Sequence, residues 1–173
     1  MKLLHQIGDF INNKYRILDI LGEGGIGTTY LAEDLETNKK LALKFLSLRR
    51  IDDWKKIELF EREGQILSQL NHPAIPSYFD YFKIETDDDN SFYIAQQLAL
   101  GKSLAELIEN GWNPDELEVK NIAIQILDIL IYLHSFSPAI IHRDIKPQNI
   151  IRDENGKVFL VDFGAVADTH HNT

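Results

Sequence analysis

The chain has 173 residues with a formal net charge of −9, and 44% of its residues are hydrophobic, which is typical of a folded globular protein and not of a disordered one. The negative charge argues against a nucleic-acid partner, because phosphate contacts need clustered Lys and Arg. The absence of cysteine excludes disulfides and fits a cytoplasmic location, and the longest apolar run, Ile122 to Leu133, is interrupted by Gln125 and Asp128, so we expect no membrane span.

The first predicted hairpin surrounds a glycine-rich loop. Tyr15 to Leu21 predicts a strand that runs into Gly22-Glu23-Gly24-Gly25-Ile26-Gly27, and Thr28 to Ala32 predicts the returning strand. A dinucleotide-binding loop would open a helix and a P-loop would end in Gly-Lys-Ser/Thr, so both are disfavoured. Two interpretations remain: a plain hairpin, and a loop that covers a nucleotide with backbone N–H groups because no Cβ intervenes.

A lysine lies among apolar residues in the third predicted strand, Lys39 to Leu46. Strand alternation puts Ala42 and Lys44 on one face and the large apolar side chains on the other. Such a lysine either extends its stem along the strand edge to reach water or has a partner inside the protein. The helix that follows favours the second interpretation.

That helix carries one acid on its apolar side. It is predicted from about Asp52 to Leu70. At about 100° per residue, Glu63 lies within the apolar half of the helix, whereas Glu58 and Glu61 point away from it. Because a buried carboxylate without a partner is costly, we predict that Glu63 pairs with Lys44 of the preceding strand.

Two further strands follow the helix. Ile75 to Ile84 and Phe92 to Leu98 alternate in hydrophobicity and predict a hairpin with an acidic tip at 85–91. The acids are consecutive, whereas a calcium loop needs them at alternating positions with a following glycine. We therefore expect a solvated hairpin tip.

Beyond residue 98 the pattern becomes helical. Ser103-Leu104-Ala105-Glu106 predicts the capped start of a short helix that ends at Gly111. A second helix is predicted to begin at Asn113-Pro114-Asp115-Glu116, with Asn113 as its cap and the proline at its first position. From Leu117 to Leu133 apolar residues occupy nearly every face, which predicts a helix that is buried on several sides.

The most informative stretch chemically is Ile141-His142-Arg143-Asp144-Ile145-Lys146-Pro147-Gln148-Asn149, followed by Val161-Asp162-Phe163-Gly164. Asp144 can take a hydroxyl proton, and Lys146 can neutralise a moving phosphate. Asn149 and Asp162 offer the hard oxygen ligands that Mg²⁺ prefers. The combination predicts a phosphoryl-transfer centre.

Together these motifs resemble the catalytic domain of the eukaryotic-type serine/threonine protein kinases. The lysine two residues after Asp144 is the form seen in the serine/threonine branch, and the loop sequences look more like bacterial members than animal ones. The resemblance implies an α+β, protein-kinase-like two-lobed fold. Residues 1–98 would form an N-lobe with an antiparallel five-stranded sheet and one helix, and residues 99–173 an incomplete, mainly helical C-lobe.

The resemblance also implies roles for individual residues. Asp144 would orient and deprotonate the acceptor hydroxyl, and Lys146 would offset phosphate charge. Lys44, positioned by Glu63, would hold the phosphates of ATP. The residues implied to contact or cover the nucleotide are Leu21, Gly22, Gly24, Gly27, Thr29, Ala42, Lys44, Gln97, Ala99 and Ile151. Thr29 departs from the family pattern, which commonly has valine there.

The implied function is transfer of the γ-phosphate of ATP, with Mg²⁺ or Mn²⁺, to serine and threonine hydroxyls of a protein substrate, with the nucleotide bound between the two lobes. The family's Ala-Pro-Glu element does not follow Asp162-Phe163-Gly164, so we expect a catalytic domain that is cut short. Neither nucleic acid nor a membrane is an expected partner.

Two other interpretations are compatible with parts of this pattern. The first is a truncated, kinase-like nucleotide binder that regulates or pairs with another chain, or with itself, through the apolar face of its long helix. The second is a small-molecule phosphotransferase on a related fold, which is disfavoured because Arg143 stands where such enzymes are expected to have glycine.

Overall fold

The computed structural model describes residues 5–23, 27–48, 54–86 and 89–168, with the backbone alone for residues 167 and 168. The chain folds as two compact units: Met1–Ser68 with Tyr78–Leu98, and Gln69–Ser77 with Ala99–Thr173. The predicted division after residue 98 differs from this arrangement in the segment Gln69–Ser77. That segment joins the second unit because the Asn71 N–H donates to the Tyr132 hydroxyl at 2.7 Å.

The first unit contains a six-stranded antiparallel sheet in the order β1-β2-β3-β4-β6-β5. Its strands are β1 Phe10–Ile11, β2 Tyr15–Glu23, β3 Thr28–Asp34, β4 Lys40–Ser47, β5 Tyr78–Glu85 and β6 Asn90–Gln97. Five strands were predicted, and the sixth is β1, whose two residues are too few to show a period. Strand β5 begins later than predicted because the Ile75 N–H donates to the His72 carbonyl in a turn.

Both faces of β4 are buried. On one face, large side chains from several strands form the hydrophobic core of the unit: Ile11, Tyr15, Ile17, Tyr30, Ala32, Leu41, Leu43, Phe45, Tyr93 and Ala95. The other face carries Ala42 and Lys44, which are also buried. The alternation predicted for this strand is confirmed.

Helix α1, Trp54–Leu67, packs against the sheet through Ile57, Phe60, Glu63, Gly64, Ile66 and Leu67. Its predicted start at Asp52 lies outside the described residues. Its predicted end at Leu70 was wrong: the Ser68 hydroxyl donates to the Gln65 carbonyl at 2.7 Å, and this carbonyl would accept the next N–H of a continuing helix. Glu58 and Glu61 are exposed, as predicted.

The second unit combines helices with two small antiparallel sheets. Its elements are β7 Lys102–Ser103, α2 Leu104–Glu109, α3 Glu116–His134, β8 Ile140–Ile141, a short 3₁₀ helix Pro147–Asn149, β9 Ile150–Arg152, β10 Val158–Leu160 and β11 Ala167–Asp168. One sheet has the order β10-β9-β7, and β11 pairs with β8 in the other.

The ends of α2 are those predicted from the sequence. The Ser103 side chain accepts the Glu106 N–H at 3.0 Å, which caps the N-terminus. At the other end Gly111 adopts φ +87°, a left-handed conformation that favours glycine. The Gly111 N–H donates to Ile108, and the following N–H of Trp112 donates to Leu107, so the last carbonyls of the helix are satisfied.

The N-cap of α3 is Asp115 and not the predicted Asn113. The Asp115 carboxylate accepts the Glu118 N–H at 2.8 Å, and the Glu118 carboxylate accepts the Asp115 N–H at 3.2 Å. This reciprocal pair satisfies two donors at once, which a cap at Asn113 does not offer.

Helix α3 is buried on one side only within the described residues, so the prediction of burial on several sides was wrong for this part of the chain. Ile126, Ile129 and Leu133 are buried, where β8 and β10 pack against the helix. The opposite side exposes four large apolar residues, Leu117, Ile124, Leu127 and Ile131. Among the described residues, no helix has the length and apolar character needed to cross a membrane.

Candidate active site

A buried ion pair joins β4 to α1 in the first unit. The Lys44 ammonium donates to both carboxylate oxygens of Glu63, at 2.8 Å to Oε1 and 2.6 Å to Oε2. Glu63 is 1% exposed and Lys44 is 8% exposed. Removing one partner from such a pair typically costs about 3–5 kcal/mol, because the remaining charge stays buried. The predicted pairing is therefore present, and it holds the lysine ammonium at a defined point of the sheet.

Several of the residues predicted to bind a nucleotide share the face of the sheet that carries Lys44. In the register of β3 and β4, Thr29 lies directly opposite Lys44, and Gly22 on β2 lies opposite Thr29. Ala42 is two residues from Lys44, so its side chain points to the same face. Gly22, Thr29 and Ala42 therefore surround one cation with small residues on this face. Leu21, which precedes Gly22 on β2, is 49% exposed.

Gln97 is exposed at the end of β6, opposite Leu41. Ala99 and Ile151 belong to the second unit, where both are half-buried and Ile151 pairs with Ser103 of β7. The predicted nucleotide-contacting residues are thus divided between the two units.

The described glycines of the loop differ in their surroundings. A Cβ on Gly22 would meet open space. A Cβ on Gly27 would lie 2.1 Å from the carbonyl oxygen of Phe45, so only glycine fits against this strand. Gly24, also predicted to cover a nucleotide, lies outside the described residues. The packing of Gly27 is a constraint of the fold, independent of any ligand.

In the second unit, the loop after β8 brings three predicted catalytic and metal-binding side chains together. The Lys146 ammonium lies 2.8 Å from Oδ2 of Asp144. The Asn149 amide donates to the Asp144 backbone carbonyl at 2.8 Å and to its Oδ2 at 2.9 Å. The hydrogen bond with Asp144 raises the pKa of Lys146, so the lysine remains a cation. An acid, a cation and a carboxamide therefore meet at one carboxylate oxygen.

His142, to which sequence reasoning gave no role, holds this loop from inside. It is 1% exposed, and its ring lies edge-on to Phe163 at 4.7 Å. Nδ1 accepts the Asp144 N–H at 3.3 Å, and Nε2 lies 3.3 Å from the Val161 carbonyl. Burial lowers the pKa of His142, which favours the neutral ring with its proton on Nε2. In the sequence this histidine lies between a strand and the loop acid, separated from the acid by Arg143, and that position does not by itself indicate the contacts that the ring makes.

The β9–β10 hairpin brings Asn149 and Asp162 to the same end of the sheet. Ile150 pairs with Leu160, and beyond that pair the Val161 N–H donates to the Asn149 carbonyl at 3.0 Å. Asp162 has φ +62°, and its carboxylate accepts the Gly164 N–H at 3.4 Å. Non-glycine residues rarely adopt the left-handed conformation, and those that do are concentrated at functional sites. The negative charge of Asp162 also contributes to the raised pKa of Lys146 nearby.

The comparison with known proteins identifies the family. Residues 15–173 match the protein kinase domain. The chain belongs to the protein kinase family. It is 39% identical over 163 residues to serine/threonine-protein kinase B of Synechocystis sp., which covers 90% of this chain and 27% of that protein.

Two further relatives of this kinase domain have the same kind of name. Serine/threonine-protein kinase PrkC of Bacillus subtilis is 36% identical over 158 residues, covering 91% of this chain and 24% of the relative. Serine/threonine-protein kinase PknA of Nostoc sp. is 38% identical over 169 residues, covering 92% of this chain and 28% of the relative. The chain therefore spans about a quarter of the length of these relatives.

Membership of the kinase family implies ATP and a divalent metal, and the residues at this site fit such a metal. Asn149 is 5% exposed, its amide nitrogen is bound to Asp144, and within the described chain its side-chain oxygen accepts no hydrogen bond. Among the described residues, no group of three or more acidic, histidine or cysteine side chains is arranged to hold a metal ion by itself. Mg²⁺ commonly takes one or two protein oxygens and completes its shell with phosphates and water. Asn149 with Asp162 matches that ligand set.

Proposed function

We propose that this kinase domain transfers the γ-phosphate of ATP to serine and threonine hydroxyls of a protein substrate. The observation that carries the proposal is the contact of Asp144 with both Lys146 and Asn149 at one carboxylate oxygen. A carboxylate in this position can accept the hydroxyl proton of the acceptor as the new P–O bond forms. The adjacent ammonium can offset the charge of the transferred group.

The metal is proposed to be Mg²⁺, or Mn²⁺ in its place, held by Asn149 and Asp162. When bound, it neutralises charge on the phosphate oxygens. The neutral His142 ring keeps the backbone of Asp144 in place through its Nδ1 contact. The loop thus presents the base, the cation and one of the two proposed metal ligands, Asn149, from a fixed backbone.

In the first unit, Lys44 is proposed to bind the α- and β-phosphates of ATP, with its ammonium positioned by Glu63. The proposed positions that cover the phosphates or pack against the adenine are Leu21, Gly22, Gly24, Gly27, Thr29 and Ala42, with Ile151 from the second unit. The backbones of Gln97 and Ala99 are proposed to bind the polar edge of the base. Small side chains at Thr29 and Ala42, beside Lys44 in the sheet register, support this assignment.

The direct test is incorporation of labelled phosphate from Mg·ATP into a generic serine/threonine protein substrate. Asp144→Asn keeps the shape of the side chain but removes the base, so we expect incorporation to fall by about 10²–10⁴-fold, while ATP affinity measured by calorimetry is unchanged. Glu154→Gln, at an exposed position on the following hairpin, is the matched control. Equal incorporation by the Asp144→Asn protein and the wild type would contradict the assignment of the base.

A second candidate function is a nucleotide-binding interaction module without protein kinase activity of its own. It is favoured by the four large apolar side chains on the side of α3 opposite its buried residues, Leu117, Ile124, Leu127 and Ile131, which are exposed in the described chain. In that case ATP raises the melting temperature of the protein, but neither the wild type nor the Asp144→Asn variant transfers measurable phosphate.

The absence of cysteine and the bacterial relatives named above support a bacterial, cytoplasmic setting for either function.

A further inference from the structure

Strand β10 lies at the edge of its three-stranded sheet, with β9 on one side only. Alternate N–H groups of an edge strand point away from the sheet and need other acceptors. The Leu160 N–H donates to the backbone carbonyl of Ala74 at 2.9 Å. The Val158 N–H donates to the side-chain oxygen of Gln125 at 3.0 Å. A side chain of α3 therefore stands where a neighbouring strand would be.

Gln125 makes a second hydrogen bond to the same hairpin. Its amide nitrogen donates to the Gly156 carbonyl at 3.0 Å. One carboxamide thus accepts from and donates to the β9–β10 hairpin, as a peptide group of a partner strand does. A carboxylate offers acceptors only and an ammonium donors only, so a charged side chain cannot make both bonds.

The segment that Gln125 holds leads directly to the proposed metal ligands. Only Val161 separates β10 from Asp162, and Asn149 immediately precedes β9. The two ligands are tied to each other through the backbone bond from Val161 to Asn149. A shift of β10 relative to α3 therefore moves Asp162, and through the hairpin it moves Asn149 as well.

We propose that Gln125 is a positioning residue for the metal-binding pair. By fixing the outer edge of β10 against α3, its carboxamide sets the place of Asp162 and Asn149, although it touches neither of them. The inference rests on the proposed function, because it assigns these two residues to the metal that accompanies ATP. Metal binding then depends on a third residue besides Asn149 and Asp162, and this residue is neutral and distant from both of them in the sequence.

Two variants and one control separate this role from packing alone. Gln125→Met has a similar length and volume but loses both hydrogen bonds. Gln125→Glu keeps an acceptor for the Val158 N–H but loses the donor to Gly156. The control is Asn121→Ala, an exposed position one turn earlier on α3 for which the described structure contains no side-chain hydrogen bond.

Three measurements on the chain are compared. Electron paramagnetic resonance of Mn²⁺ in the presence of ATP gives the metal affinity. Calorimetry with ATP and a chelator gives the nucleotide affinity without metal. Amide hydrogen exchange at Val158 reports directly whether the edge of β10 has loosened.

We expect Gln125→Met to lower the Mn²⁺ affinity by about 10–100-fold, the range found when residues that orient metal ligands are removed. Nucleotide affinity without metal should not change, and exchange at Val158 should be faster. Gln125→Glu should give a smaller loss, and it carries the test if the methionine variant does not fold. Asn121→Ala should match the wild type.

Faster exchange at Val158 with unchanged Mn²⁺ affinity, in either Gln125 variant, would overturn the inference while leaving the proposed function intact. A wild-type chain that binds ATP but no Mn²⁺ overturns the assignment of the metal ligands, and the inference with it. The two failures are therefore distinguishable in the same experiment.

Discussion

Two lysine–carboxylate pairs among the predicted site residues have similar lengths and very different surroundings. Lys44 and Glu63 approach to 2.6 Å in the first unit, and Lys146 and Asp144 approach to 2.8 Å in the second. The side chains of the first pair are 10% and 1% exposed, whereas those of the second are 46% and 34% exposed. Distance alone does not distinguish them, but burial does.

Because of this difference in burial, the Lys44–Glu63 pair stabilises the fold, whereas the Lys146–Asp144 pair is available to interact with a substrate. In the buried pair neither charge can lose its partner without remaining unsolvated, so the fold depends on both. In the exposed pair water replaces a lost partner and salt screens the attraction, so the pair adds little to stability. An exposed acid and ammonium can therefore exchange partners with a substrate at small cost to the fold.

Breaking the buried pair should have the largest effect on stability. Glu63→Ala leaves the Lys44 ammonium buried without this carboxylate, and we expect a loss of about 3–5 kcal/mol in the free energy of unfolding. The measurement is urea denaturation followed by circular dichroism.

The matched control is the double variant Lys44→Met with Glu63→Leu, which replaces both charges by apolar groups. We expect it to be much closer to the wild type in stability, because no charge is left buried, while ATP binding is lost. If the single and double variants lose the same stability, the buried charge is not the cause.

Two glycines of the loop show a similar contrast, because Gly27 is packed against a strand and Gly22 faces open space. Gly27→Ala places a methyl group 2.1 Å from the Phe45 carbonyl oxygen, so the strand must move. We expect a loss of roughly 1–3 kcal/mol, as for other overpacked sites. Gly22→Ala enters open space, and its stability should stay within about 0.5 kcal/mol of the wild type. Thermal unfolding of both variants gives the comparison, and equal losses would contradict it.

A smaller, pH-dependent effect is expected at His5, which packs on the sheet core. Its ring lies 4.5 Å from Phe45, and Nε2 is 3.0 Å from the Tyr93 hydroxyl. Burial lowers the pKa of His5, although Asp9 and Asp89 oppose the shift. The unfolded chain therefore binds the proton more readily, so stability is complete above pH 6.5 and declines as the pH falls below this value.

The midpoint of His5 can be read from its ring proton signals by nuclear magnetic resonance, and we expect it below 6.5. His5→Phe keeps an aromatic ring against Phe45 but removes the titration, so the corresponding part of the acid-induced loss should vanish. A midpoint at or above 6.5 contradicts the effect of burial.

The exposed pair should give the smallest change in stability. We expect Lys146→Met to leave the melting temperature unchanged, because the ammonium is solvated in the folded protein. Phosphate transfer should nevertheless decrease, since the cation beside Asp144 is gone. A marked fall in melting temperature would show that burial does not separate the two pairs in the way described.

Much of the first unit was predictable because its signals are local and strong. The period of two in β4 and the helical period of α1 placed Lys44 and Glu63 on buried faces, and a buried charge requires a partner. The same reasoning succeeded for the cap at Ser103. It failed at Asn113, where two acceptable cap residues lie close together and the reciprocal bond with Glu118 decides for Asp115.

The second unit was less predictable because its decisive contacts are long-range and neutral. Nothing local indicates that His142 contacts the loop from inside or that Gln125 holds a strand 33 residues away. The apolar pattern of α3 predicted burial on several sides, yet the described residues cover only one of them. The apolar pattern of a helix shows which of its faces can be buried, but it does not show which other parts of the protein pack against them.

The amino-acid sequence by itself determined the longer strands and helices, both ends of α2, the ion pair of β4 with α1 and the chemical types gathered in the loop after β8. The tertiary structure decided that Gly27 packs against a strand, that Asp115 caps α3 and that Gln125 completes the edge of β10. The physical reason is solvation. A buried charge must find a partner, so its partner can be inferred, whereas a neutral amide or a glycine is satisfied equally well by water or by open space until packing removes that choice.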